Sequence, residues 1–308
     1  MLNLQDIRYV RLGTDNLAQA KEFATRIVGL DVARESASTV HLKSDQRDHT
    51  LAYLKGDPAD HTVGFELHDP HGLDAAAGFL DNAGFRPRWG TRDECEARAV
   101  RAFFNFRDLS GNSVDVVSRP FHSGIRYHGQ RDAGITGFNH IGLKTTDSPR
   151  DEGFWTGSCN ARVSDWIGDA ALLRINTVHH TLALFPSQVG GVQHINHQVA
   201  SVDDILKAWY FLKEQGVRIV FGPGRHPTSG AMFLYFEGPH GMVFEYSVGV
   251  RHIAPEEEAG YRPRQFSWEP WSFCYWGAKP DIPEFRTEEA NAEATARATV
   301  ESSTGAAA

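Results

Sequence analysis

The chain repeats itself, and that repetition limits the folds open to it. At an offset of about 131 residues, Tyr9-Val10-Arg11-Leu12 aligns with His140-Ile141-Gly142-Leu143, Phe23 with Phe154, and His49-Thr50-Leu51-Ala52 with His180-Thr181-Leu182-Ala183. One residue further apart, Phe65-Glu66-Leu67 falls on His197-Gln198-Val199 and Gly84 on Gly216; Ser110-Gly111 and Asp115 then follow His240-Gly241 and Glu245. Two homologous halves are predicted, residues 1–125 and 132–250. Each half divides again into two units of one plan: a strand, an amphipathic helix, then two or three strands. Helices are expected over 16–28, 73–83, 149–158 and 201–215, the last with Ser201 before it, Gly216 after it and Ile205, Leu206, Trp209, Phe211 and Leu212 on one face. The fold class is therefore α+β, with four βαβββ modules forming strongly curved, cupped sheets. A cupped sheet presents side chains from different strands to one point.

Composition narrows the partners. A chain of 308 residues with 41% hydrophobic and 23% charged residues is globular, and its formal charge of -8 without a Lys/Arg cluster argues against nucleic acid or an anionic membrane. No apolar run reaches the roughly 20 residues that span a bilayer, and the start MLNLQDIRYV has no basic region followed by an apolar core. A cytoplasmic protein is the expectation. Cys95, Cys159 and Cys274 are odd in number and far apart, which suggests neither a disulfide framework nor a zinc knuckle.

Because both halves share a scaffold, their differences mark where one acquired a site. The second half has His140, His197 and Glu245 where the first has Tyr9, Phe65 and Asp115. Glu245 stands out within the apolar run Met242-Val243-Phe244-Glu245-Tyr246, since a carboxylate in such a strand is costly to bury unless a cation meets it. Two imidazoles and one carboxylate make the facial triad that holds Fe(II) and leaves positions open, although zinc and Mn(II) accept the same donors. Singly, each histidine reads equally as a hydrogen-bonded core residue; their joint occurrence at equivalent strand positions favours the metal. His180 matches His49, so part of the HTLA sequence is a strand feature, but in the second half that strand neighbours the proposed metal and His180 can reach a substrate. His179 and His194 are expected to point the other way and to be structural. Tyr246 should turn from Glu245 into the core.

Taken together, FNHIGL, NHQV and GPGRHP, with Tyr235 and Glu245 following His226 at intervals of nine and ten residues, resemble the type I extradiol catechol dioxygenases of the vicinal oxygen chelate superfamily. The resemblance covers about residues 5–250. It implies metal ligands at His140, His197 and Glu245, an acid–base histidine at His180, and a supporting histidine and a substrate-contacting tyrosine at His226 and Tyr235. The His180 to His197 interval is longer than the family's by about two residues, making His179 a fallback. The implied activity is Fe(II)-dependent, with Mn(II) as an alternative. A catechol would be cleaved beside its two hydroxyls and both atoms of O2 would enter the product. His180 would take a proton from the catechol and return one later, a role suited to imidazole. The substrate would be a substituted mono- or bicyclic catechol, and the family habit implies a homo-oligomer.

Two other readings use the same scaffold. A glyoxalase-like lyase or isomerase on Zn or Ni would recruit more than one carboxylate; a metal-free aromatic-binding or resistance module would not need His140, His197 and Glu245 together. After Val250 the repeat stops. Residues 251–283 are too aromatic to lie in water, as in Phe266-Ser267-Trp268-Glu269-Pro270-Trp271, and should dock on the body, on a second subunit, or as a lid over the cavity. Residues 284–308 read as a disordered tail.

Overall fold

A computed structural model describes residues 1–286. It is built on two large sheets. One has eight strands, in the order Asp31–Glu35, Thr39–Lys43, Leu51–Lys55, Leu4–Thr14, His61–Leu67, Ser113–Pro120, Val100–Arg107, Arg88–Trp89. The other has nine, in the order Ile219–Arg225, Met232–Glu237, Val243–Val248, Gly191–Val199, Ile135–Thr145, Leu182–Pro186, Ala170–Arg174, Arg162–Ile167, Arg264–Phe266. Both follow one scheme. Two antiparallel strands occupy the centre, Leu4–Thr14 with His61–Leu67 and Ile135–Thr145 with Gly191–Val199, and each is flanked by a parallel neighbour.

Strand alternation divides each sheet into two faces. On one, Ile7, Val10, Phe65, Ile141, Ile195, Phe244 and Tyr246 meet the helices in a core that runs across both halves of the chain. The Tyr246 hydroxyl donates to the Val28 carbonyl at 2.7 Å, tying the last strand of the second sheet to the first helical segment. The opposite face of the nine-stranded sheet carries a separate cluster that includes Ala183, Phe185, Phe221, Phe233 and Tyr235.

Helices fall at Leu73–Asn82, Ser148–Gly157 and Val202–Glu214, close to expectation. The Ser201 side chain accepts from the Asp204 amide, and Ile205, Ala208 and Leu212 are buried, but Leu206 faces solvent. The segment expected as one helix over 16–28 is α-helical at Leu17–Glu22 and widens to a π turn at Phe23–Ile27. A helix not anticipated, Arg92–Arg98, starts at a capping box in which Thr91 and Glu94 satisfy each other's backbone amides. Cys95 and Arg98 lie on its buried side, and Cys95 clusters with Tyr9, Val100, Phe103 and Val117 on the inner face of the first sheet.

Beyond Val250 the chain folds back onto the second sheet. Arg264–Phe266 adds an edge strand parallel to Arg162–Ile167, and Phe273, Ile282 and Phe285 pack onto the inner-face cluster. Glu284 pairs with Lys144 at 2.7 Å, so residues 284–286, read from the sequence as part of a disordered tail, are docked; the rest of that tail lies outside the described residues. Among the described residues no helix is long and apolar enough to cross a membrane, and the three cysteines are free and buried.

Candidate metal centre and active site

Three strands of the second sheet bring His140, His194 and Glu245 to one point on its inner face, with ligand atoms within 4.8 Å of one another and all three side chains buried. His140 Nε2 lies 3.0 Å from Glu245 Oε2 and 3.0 Å from His194 Nε2; His194 Nε2 lies 3.4 Å from the same carboxylate oxygen. The outer nitrogens fix the tautomers. His140 Nδ1 donates to Asn139 Oδ1 at 3.0 Å and His194 Nδ1 donates to Gln193 Oε1, which leaves a lone pair on each Nε2. Two lone pairs and a carboxylate then converge with no proton to share, and Glu245 Oε2 is buried without a hydrogen-bond partner. Such a donor set fits a divalent cation and leaves an uncompensated buried charge without one.

His197 is not part of this cluster. A shift of three residues along a strand reverses the face, so His194 points inward while His197 points to the helix side, near the Phe138 ring at 6.0 Å. Both of its ring nitrogens are buried and unpartnered, and burial pushes it down to about 4. His197, expected from the sequence as a ligand, thus lies outside the cluster, and His194, expected to point away as a structural residue, stands in its place. The alignment holds, but Phe65, the counterpart of His197 in the first half, is also a core residue; the pair that differs at the site is Thr62, opposite Arg11, and His194, opposite Gly142.

The other three candidates surround the cluster. The His180 ring lies 4.2 Å from that of His140, and burial, then the neighbouring His140, hold it well below the usual histidine range. Behind it, His179 and His180 meet through their Nδ1 atoms at 3.1 Å, and His179 Nε2 is 2.9 Å from Asp165 Oδ2. Arg264, from the C-terminal edge strand, donates to the same carboxylate at 2.6 Å. His226 Nδ1 donates to the Phe273 carbonyl at 2.9 Å, so its Nε2 accepts the Tyr235 hydroxyl at 3.1 Å. Burial and the nearby Glu245 raise Tyr235 well above the usual phenol range.

The wall opposite the strands comes from the C-terminal segment. Phe273 and Phe285 join Ile167, Leu172 and Phe185 around His180, His194, His226 and Tyr235, enclosing only about 20 Å³. That is about the room one water needs, so side chains lining the space must move before an aromatic ring fits. Phe185 lines this space, whereas Trp155 is buried in the helix-side core.

In the first half the equivalent positions need no cation. Tyr9 donates to Asp115 at 2.8 Å and Arg98 pairs with the same carboxylate at 2.6 Å.

Residues 137–246 match the model of the glyoxalase/bleomycin resistance protein/dioxygenase superfamily. An iron-dependent extradiol dioxygenase of Rhodococcus jostii (strain RHA1) is 23% identical over 281 residues, covering 83% of this chain and 92% of the relative. Homoprotocatechuate 2,3-dioxygenase from Arthrobacter globiformis superposes with a TM-score of 0.81 at 21% identity over 93% of this chain and 91% of that one. The Mn(II)-bound glyoxalase from Novosphingobium aromaticivorans does so with a TM-score of 0.80 at 23% identity over 94% and 95%. The structural likenesses establish the fold.

Proposed function

We propose that the chain is an extradiol dioxygenase, as its similarity to proteins of that name supports, in which His140, His194 and Glu245 hold Fe(II) for cleavage of a catecholic ring beside its hydroxyls, with both atoms of O2 entering the product. The observation that carries the metal reading is the convergence of two imidazole lone pairs and an orphaned carboxylate oxygen at one buried point. A metal bound there supplies a Lewis-acidic, redox-active centre at which a catechol loses its hydroxyl protons readily and O2 is reduced. Mn(II) satisfies the same donors, and the Mn(II)-bound glyoxalase of like fold keeps it as the second candidate.

The chain's own side chains have separable tasks. His180 is neutral near pH 7 because burial disfavours its charged form, so it can accept the catechol proton and return it later. Asp165 and His179 behind it set the ring orientation. Tyr235 keeps its proton because burial raises it, and its hydroxyl, which donates to His226 in the closed site, is free to rotate and donate to a substrate oxygen where charge develops. Phe273 and Phe285 exclude water from the reacting oxygens. A second copy of the chain is the proposed partner for the C-terminal segment, where Trp271, Tyr275 and Trp276 are 58%, 63% and 56% exposed.

The test is oxygen uptake by protein reconstituted anaerobically with Fe(II) or Mn(II), against a panel of substituted catechols, with product colour followed in parallel. Uptake with a yellow ring-opened product supports extradiol cleavage and ranks metals and substrates together. Tight metal binding without uptake would overturn it in favour of a lyase or isomerase, and no bound metal would leave an aromatic-binding module.

A further inference from the structure

The first half has its own inner-face cavity, of about 320 Å³, and its chemistry is the reverse of the metal centre's. In the second half Gly142 stands beside His194, and a Cβ at Gly142 would lie 2.5 Å from the His194 ring. In the first half the same two positions carry Arg11 and Thr62. Where one half clears space for a metal-binding ring, the other inserts a guanidinium.

That guanidinium lacks a partner. Arg11 is only 8% exposed, it makes no side-chain hydrogen bond or ion pair among the described residues, and its Nη1 is buried and unsatisfied while it lines the cavity. The nearby carboxylate, Asp115, is already engaged by Arg98 at 2.6 Å, by Tyr9 at 2.8 Å and by Asn105 at 2.8 Å. Arg98 also lines the space, and the mouth carries Arg107 and Lys55 against the single carboxylate of Asp60. His41 and His49, which face Arg11 from neighbouring strands, are held neutral, at about 3 and about 4, chiefly by burial. Positive charge is therefore in excess, and a buried unpaired cation is costly.

A free donor completes the arrangement. The Ser113 hydroxyl oxygen accepts from Thr62 at 3.1 Å and from Asn105 at 2.9 Å, which leaves its own proton to point elsewhere, and Ser113 lines the same cavity. A planar guanidinium and a hydroxyl donor lining one cavity, two strands apart with Thr62 between them, match an oxyanion, which can take both fork N–H groups. We infer that the first half binds a small oxyanion, a carboxylate or a phosphate, through Arg11 and the Ser113 hydroxyl, with Arg107 drawing it in at the mouth. The volume holds a group of benzoate or phosphate size.

Calorimetric titration of the metal-loaded full chain with inorganic phosphate and, separately, with benzoate at low ionic strength tests this. One saturable site is expected for at least one of the two, weakened tenfold or more by Arg11→Met and about threefold by Arg107→Gln, whose side chain is exposed and bonds the Gly111 carbonyl. The better of the two anions identifies the headgroup class. Thermal midpoints should agree: the anion raises that of the wild type and leaves that of Arg11→Met unmoved. Binding of neither anion, or binding that is equal in wild type and Arg107→Gln, would overturn the inference, as would a benzoate site that survives Arg11→Met, which would belong to the other half.

Discussion

His140 Nε2 and His194 Nε2 approach to 3.0 Å with both their protons committed elsewhere, to Asn139 and Gln193. Two facing lone pairs repel unless an electrophile sits between them. His194→Ala should therefore abolish metal retention, read by elemental analysis after gel filtration. His197→Leu should retain full metal, and should be neutral or stabilising, since it removes a buried imidazole with two unsatisfied nitrogens. Metal loss in His197→Leu with retention in His194→Ala would reverse the assignment.

For His180→Asn, metal content should match the wild type while turnover falls by about 10²- to 10⁴-fold. Asp165→Asn acts one step further back. It weakens the hold on His179 and should lower kcat by about tenfold or more with metal unchanged. A kcat untouched in both would move the proton-transfer role to another group, with Tyr235 and His226 next in reach.

Phe285 stacks near Phe185, Phe273 and Tyr235, with ring centroids 4.8, 5.2 and 5.9 Å away. Phe285→Ala should raise KM for catechols several-fold while leaving metal binding intact. The cost in stability is about 3 kcal/mol for a buried aromatic truncation, read from denaturant midpoints at constant slope. An unchanged KM would mean that substrate enters by another path.

Acid should unfold this protein early. His41, His49 and His197 are buried with folded values of about 3, about 4 and about 4, below the ordinary value near 6.5. The unfolded chain thus binds protons first as pH falls. Stability should be flat above pH 6.5 and decline from there toward pH 4, by about 1.4 kcal/mol per pH unit for each histidine. Replacing His49 with Gln should flatten that decline in proton-dependent denaturation curves; an unaltered slope would show that His49 titrates normally in the folded state.

The duplication made the architecture legible, because strand and helix periods survive in both copies even where identities have drifted. It also located His140, Glu245, His180, His226 and Tyr235 in the neighbourhood the structure brings together. It misled at one strand. Matching Phe65 to His197 was right as alignment and wrong as function, since both face the core, and only the pairing of Asn196 with Glu245 reveals that His194 faces inward. The Arg92–Arg98 helix was missed for a related reason: seven residues with charges at most positions show little apolar period, and its capping box was the one readable mark. Docking of the C-terminal segment was foreseen from its aromatic content, but its role as a roof depends on pairing with Arg162–Ile167, which no local pattern encodes.

That pairing has a consequence for the order in which a newly made molecule becomes competent. Arg264 reaches Asp165, behind His179 and His180, while Phe273 and Phe285 close the cavity and the Phe273 carbonyl orients His226. The three residues at the metal point are synthesised before any of these. If the site works as proposed, a chain still emerging from the ribosome can thus bring His140, His194 and Glu245 together before His180 is aligned or the chamber is dry. Ring cleavage would wait for this later-made segment to dock, which keeps a half-finished enzyme from activating oxygen in open water.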